Sequence, residues 1–188
     1  ADLIFKNRGL NNATDSETFR KWQKPSFLSL NFQISLPLAS YPIGPSSRFK
    51  VSSGCMSVLE GAHFFSPYIG LGGRFSVTRT SVIVDNIRAE NNVFDTWRIG
   101  GGAYFSCPLS TRWLAGSKLL VERVHYPDLQ QTSYLIDSRH SFSLGTGLSL
   151  TFRAHQHYGI RLLLDYDLLP YRTAGRQICV HSLTLGTA

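Results

Sequence analysis

No stretch of this 188-residue chain approaches the roughly 18 consecutive apolar residues of a membrane-spanning helix, which removes that mode of crossing. The absence leaves barrel strands open, because these need only about 9–11 residues and are half polar. Cysteine is scarce. Cys55, Cys107 and Cys179 are far apart and odd in number, so free thiols are expected rather than a disulfide framework or a zinc site. The net charge is +7, yet there is no Lys/Arg run, no recognition-helix motif and no Cys/His metal spacing, which argues against nucleic acid as a partner. The opening ADLIFKNRG lacks a basic-then-apolar leader, so any secretory signal is expected to have been removed or left out. There is no glycine-rich phosphate loop either, since the glycines alternate along strands instead of preceding a helix. The hydrophobic content of 43% does not by itself call for a membrane.

What is present is alternation. From Ser26 to Leu36, Leu28, Leu30, Phe32, Ile34 and Leu36 share one side, and Ser29, Asn31, Gln33 and Ser35 the other. A period of two is a β-strand whose faces meet different surroundings. Eight strands are predicted at about 26–37, 47–58, 66–80, 95–107, 111–125, 139–153, 157–169 and 179–188, the second alternating poorly. Residues 1–25 stand apart as a polar, charged N-terminal segment or linker, with Thr14 and Glu17 spaced as a capping box. By length the rest is one domain.

Connections of about three residues follow the fourth and sixth strands, whereas about 14, 13 and 9 follow the third, fifth and seventh. Short turns at one end and long loops at the other are how outer-membrane barrels are built. The polar parity carries Gly70, Gly72, Gly100, Gly102, Gly116, Gly145, Gly147 and Gly159, small residues that suit a narrow closed interior. The same parity collects Lys50, Arg74, Arg98, Lys118, Glu122, Arg161, Asp165 and Asp167, a candidate internal salt-bridge network. A lipocalin-like soluble barrel would instead point its apolar face inward around an apolar ligand, and its outer face should be rich in Lys and Glu. The Gly, Ser, Thr and Arg found here favour the inverted, lipid-facing barrel.

The segments YIGLGGRFSV (68–77), RIGGGAYFSCPLSTRWLAGSKLLVERV (98–124) and SFSLGTGLSLTFRAHQHYGIRLLLDYDL (141–168) resemble small outer-membrane β-barrel proteins of the OmpA/OmpX-like type. The resemblance covers about 26–188 and is one of pattern. It implies an all-β, closed antiparallel up-and-down transmembrane β-barrel of eight strands in the bacterial outer membrane, with both termini periplasmic and long loops outside. Trp97, Tyr126, Tyr134, Tyr166 and Tyr171 would then lie near the outer rim, and Trp113 and Tyr158 near the inner one. Such barrels usually finish on an aromatic residue, whereas this chain stops at Thr187-Ala188.

For chemistry, His125, Asp128, Ser133, Asp137 and His140 fall in or beside the third long loop, but lack a spacing that identifies nucleophile and base. His155 and His157 share a turn without further metal ligands. No catalytic residue, metal or cofactor is assigned. Eight strands leave an interior that side chains fill, so a large aqueous pore is not expected. Near the outer rim Arg79, Arg88, Arg123, Arg139, Arg172 and Arg176 suggest contact with phosphorylated glycolipid such as lipopolysaccharide. The reading is a non-enzymatic outer-membrane barrel with a structural, adhesion or interaction role. Its partners are outer-membrane lipid and a protein met through the loops or residues 1–25. A soluble barrel binding a small apolar ligand and a lipid-modifying outer-membrane enzyme stand as alternatives.

Overall fold

Eight strands alternate in direction and each pairs with its neighbours in the chain, until the last returns to the first. They are β1 (Ser26–Pro37), β2 (Gly54–Phe64), β3 (Ile69–Val84), β4 (Ile87–Pro108), β5 (Trp113–His125), β6 (His140–Arg153), β7 (Gly159–Thr173) and β8 (Arg176–Thr187). Closure is made by the antiparallel β8–β1 pair, where Ile34 faces Leu185 and Leu36 faces Leu183. The computed structural model describes residues 26–38, 40–42, 48–84, 87–110, 112–125, 129–131, 134–136, 140–154, 159–173 and 176–187. A closed ladder leaves no strand edge at mid-height, and hydrocarbon demands this because it supplies no hydrogen-bond partner.

The alternation sorts solvents as an inverted barrel requires. Outward lie Leu28 (77% exposed), Phe142 (72%) and Leu148 (60%), together with Leu30, Phe32, Ile34, Leu71 and Leu162. Inward and buried lie Asn31, Gln33, Arg74, Ser76, Arg98, Lys118, Glu122, Ser143, Asp165 and Asp167. A soluble barrel with an apolar ligand cavity has these faces reversed, so that alternative fails. The axis is not wholly polar, however. Met56, Val58, Tyr104, Leu120, Val124, Leu163 and Val180 are buried there too and fill space between the charges. Phe27 also turns inward, with its ring 6.3 Å from Phe64 and 5.9 Å from Tyr104.

Two boundaries differ from the sequence reading. The second barrel strand is Gly54–Phe64, not 47–58; Arg48–Val51 is a separate short strand that pairs with Ser40–Pro42 and with the end of β3. Inward Met56 and Val58 beside outward Ser57 blur the alternation on which the reading relied. Correcting this makes the β2–β3 link short, at residues 65–68, and the β1–β2 link long, so both join the pattern of short turns at one end. The second difference concerns the long loops. β3 and β4 continue as a paired ladder to Val84 and Ile87, and β7 and β8 to Thr173 and Arg176. Beyond the lipid no apolar alternation is needed, so these extensions left no period-two signal. With 22 residues in β4, roughly half of it projects past the 9–11 or so that span hydrocarbon.

Candidate functional site

Inward positions at similar height on β2 to β7 meet at the barrel axis. Arg74 on β3 sits at the centre. Its Nε and one terminal nitrogen donate to the two carboxylate oxygens of Glu122 on β5, at 2.7 and 2.6 Å. The guanidinium also donates to Asp165 at 3.1 Å and Asp167 at 2.8 Å, both on β7. Arg98 on β4 donates to Asp167 at 2.7 Å and lies 3.7 Å from Glu122. Lys118 on β5 bridges Glu60 at 2.5 Å and Asp165 at 2.9 Å. Arg161 on β7 approaches Glu60 at 3.9 Å. Four cations thus face four carboxylates, an electrically balanced set in which every member finds an opposite charge. Balance and bidentate geometry are what permit charge where water is excluded.

Glycine makes the room. A Cβ built on Gly145 would lie 2.7 Å from the Asp167 carboxylate and 3.3 Å from the Arg74 guanidinium. One on Gly147 would collide with the Asp165 carboxylate and lie 2.7 Å from Lys118 Cε. The glycines of β6 are therefore the space into which the charges of β3, β5 and β7 reach.

The cluster divides the lumen. Toward the long-loop end the wall is hydroxylated (Ser35, Thr78, Thr80, Thr96, Ser182) around a cavity of about 20 Å³, and Ser35 and Ser182 hydrogen-bond at 2.7 Å. Toward the short-turn end a cavity of about 50 Å³ is lined by Phe27, Phe64, Tyr104 and Leu163 together with Glu60, Lys118, Thr151 and Arg161. Between the two cavities the cross-section is filled by the buried side chains of Arg74, Arg98, Glu122, Asp165 and Asp167.

Of the residues singled out in the sequence, Arg74, Arg98, Lys118, Glu122, Arg161, Asp165 and Asp167 occupy this cluster. Lys50 does not belong to a barrel strand: it lies on the short strand Arg48–Val51, opposite Ser40 and Ile83, and its side chain is outside the described residues. Glu60 was missed. The second strand had been placed to end before it, and only the parity shared by Met56, Val58, Glu60 and Ala62 would have pointed to it.

At the rim, Arg79 is exposed and forms a forked pair with Asp95 at 3.0 and 3.1 Å. Arg123 is exposed on the outer face of β5. Arg88, Arg172 and Arg176 lie on strand extensions with side chains outside the described residues, and Arg139 lies wholly outside them. His125 faces His140 across β5 and β6, and its ring stacks on Trp97 with centroids 4.9 Å apart. Asp128, Ser133, Asp137, His155 and His157 lie outside the described residues, as do Tyr126 and Tyr158. Trp97 and Trp113 are partly exposed at opposite ends of the apolar band, whereas Tyr166 is half-buried and hydrogen-bonds His181.

An apolar outer band around a charged, side-chain-filled axis, closed by eight antiparallel strands, has close structural counterparts. The outer membrane protein OprG from Pseudomonas aeruginosa matches with a TM-score of 0.67 over 86% of this chain and 93% of its own, at 11% identity. The fold is that of a small outer-membrane β-barrel. The outer membrane protein AlkL, determined in DMPC lipid bilayers, matches this barrel at 0.54 with 15% identity, covering 87% of each chain. Neisserial surface protein A matches at 0.51 with 15% identity, over 86% of this chain and 96% of its own. No family model and no curated protein matches the sequence.

Proposed function

We propose that this protein is a non-catalytic integral barrel of the bacterial outer membrane, with a structural and surface-interaction role carried by its long-loop end. The carrying observation is the band of exposed Leu, Ile and Phe on the outer face, set around an ion cluster buried in the axis. A contiguous apolar surface of that extent on a water-soluble monomer would drive aggregation. Both ends of the described barrel, Ser26 and Thr187, lie at the short-turn end, beside His63 and Leu162. In this reading that end faces the periplasm, and residues 1–25 are a periplasmic segment or linker. The opposite end raises β3–β4 and β7–β8 beyond the lipid, as rigid ladders on which recognition surfaces can be mounted.

Detergent dependence tests the first half of the proposal. The purified chain should stay folded and migrate anomalously on unheated gels only in detergent or lipid; a folded monomer in plain buffer refutes it. The second half extends to phosphorylated glycolipid in the outer leaflet. Exposed Arg123 sits beside the apolar band, and Arg79, Arg139, Arg172 and Arg176 belong to the same rim in this proposal. Guanidinium forks suit phosphate. Replacing Arg123, Arg139 and Arg172 together with Gln should weaken retention of lipopolysaccharide on the purified barrel. Unchanged retention would remove lipopolysaccharide as a partner.

A further inference from the structure

Arg123 stands on the lipid-facing wall of β5 between two apolar neighbours. Ile99 on β4 and Phe142 on β6 lie directly opposite it, 51% and 72% exposed. The next outward row pairs Trp97 with His125, so Arg123 lies on the hydrocarbon side of that aromatic rim. Among the described residues no carboxylate lies within ion-pair distance of it, whereas Arg79 is answered by Asp95. A guanidinium at that depth is costly unless it reaches the headgroup layer or meets an anion.

Beside Arg123 the outer wall is hollowed. Gly101 faces Val121 of β5, Gly73 faces Gly101, and Gly61 faces Gly73, all on the outward parity. A Cβ built on Gly73 would meet only the Gly100 carbonyl, and one on Gly101 would meet the backbone of Gly72 and Gly73 first. Leu59, Phe75 and Ile99 wall this groove on the side nearer the long loops, and Leu71 and Ala103 on the other. Leu28 closes its far end, beside Gly61. The groove is sloped. A row of paired residues that starts at Leu28 and runs through these glycines to His181 returns to the chain at Leu38, whose N–H donates to the His181 carbonyl at 3.0 Å. Rows therefore climb toward the long-loop end from β1 to β8, and the groove descends from Val121 to Leu28. Three strand spacings take it from Val121 to Gly61, about 14 Å. With strands tilted roughly 35–45°, it drops about 9 Å over that length.

We infer that this wall seats one acyl chain of a phosphorylated glycolipid, with a phosphate on Arg123 and the chain laid down over Gly101, Gly73 and Gly61 as far as Leu28. A guanidinium fork matches phosphate. A walled apolar groove packs methylenes from three sides, which a flat lipid-facing wall does not. The slope carries a chain away from the headgroup layer at the long-loop end. The choice of glycolipid rests on the proposed outward orientation of that end.

Native mass spectrometry of the full chain released from detergent micelles, with bisphosphorylated lipid A as the probe, counts the bound lipids. Expected is a one-to-one complex that Arg123→Gln weakens about tenfold, the loss of one charge-assisted contact. Gly73→Leu should weaken it about fivefold by filling the groove. Arg112→Gln, at an exposed arginine of a short turn, should leave it unchanged. Lipid A stripped of phosphate should bind the unaltered chain and Arg123→Gln equally weakly. Gel mobility without heating verifies that each variant is closed. Undiminished binding in closed Arg123→Gln or Gly73→Leu, or equal binding of phosphatidylglycerol, would overturn the seat. If the joint replacement of Arg123, Arg139 and Arg172 removes lipopolysaccharide while these single changes do not, the rim reading stands and the seat falls.

Discussion

Replacing Arg74 with Met tests whether charge balance in the axis holds the barrel together. Arg74 contacts three carboxylates, Glu122, Asp165 and Asp167, at 2.6 to 3.1 Å, with all side chains at or near zero exposure. Without it the cluster holds three cations (Arg98, Lys118, Arg161) against four carboxylates. An uncompensated buried charge costs about 3–5 kcal/mol. The expected loss is therefore about 3–5 kcal/mol at pH 7. A second change, Glu122→Met, removes the surplus carboxylate, leaves three charges of each sign, and should recover more than half of the loss as a coupling between neighbours. The assay is urea unfolding in lipid vesicles at pH 7 by tryptophan fluorescence, with unheated gel mobility reporting closure. A loss under about 0.5 kcal/mol for Arg74→Met, or a double variant less stable than the single, would refute the reasoning.

Leu148→Arg places a charge midway along the outer face of β6, where the leucine is 60% exposed; in lipid vesicles it should cost about 2–4 kcal/mol, whereas the same change on a water-facing strand would be nearly silent. Gly147→Val should displace Asp165 from Lys118 and cost about 1–3 kcal/mol by overpacking, measured by the same unfolding assay. Gly73→Ala is the contrast: its Cβ would face outward and meet only the Gly100 carbonyl at 3.2 Å, so the change should stay below about 1 kcal/mol. Glu60→Gln should cost less than Arg74→Met, because Lys118 keeps Asp165 at 2.9 Å while Arg161 loses only a 3.9 Å contact.

Inverted polarity was legible from β1 and β6, where Leu28, Leu30, Phe32, Ile34 and Leu36, and Phe142, Leu144, Leu148, Leu150 and Phe152, alternate with Ser, Asn, Gln, Gly and Thr. Strand side chains repeat every two residues, so parity alone assigns a face, and Gly and Arg on the polar parity distinguish an enclosed axis from a wetted exterior. β2 was misplaced because an inward strand in a filled barrel need not be polar: Met56 and Val58 are as deeply buried as Glu60. The extensions to Val84, Ile87, Thr173 and Arg176 were missed because a ladder outside lipid requires hydrogen bonds but no apolar periodicity.

By itself, then, the sequence determined which side chains turn toward the axis and which toward lipid, since that follows from local geometry. Who meets whom across the lumen was decided only by the closed barrel. Arg74 and Asp167 are 93 residues apart yet hydrogen-bonded at 2.8 Å, because the stagger of eight strands brings them to one height. No spacing along the chain encodes that height. The same closure sets Tyr104 of β4 and Arg161 of β7 on the wall of one cavity, which no reading of either strand alone could anticipate.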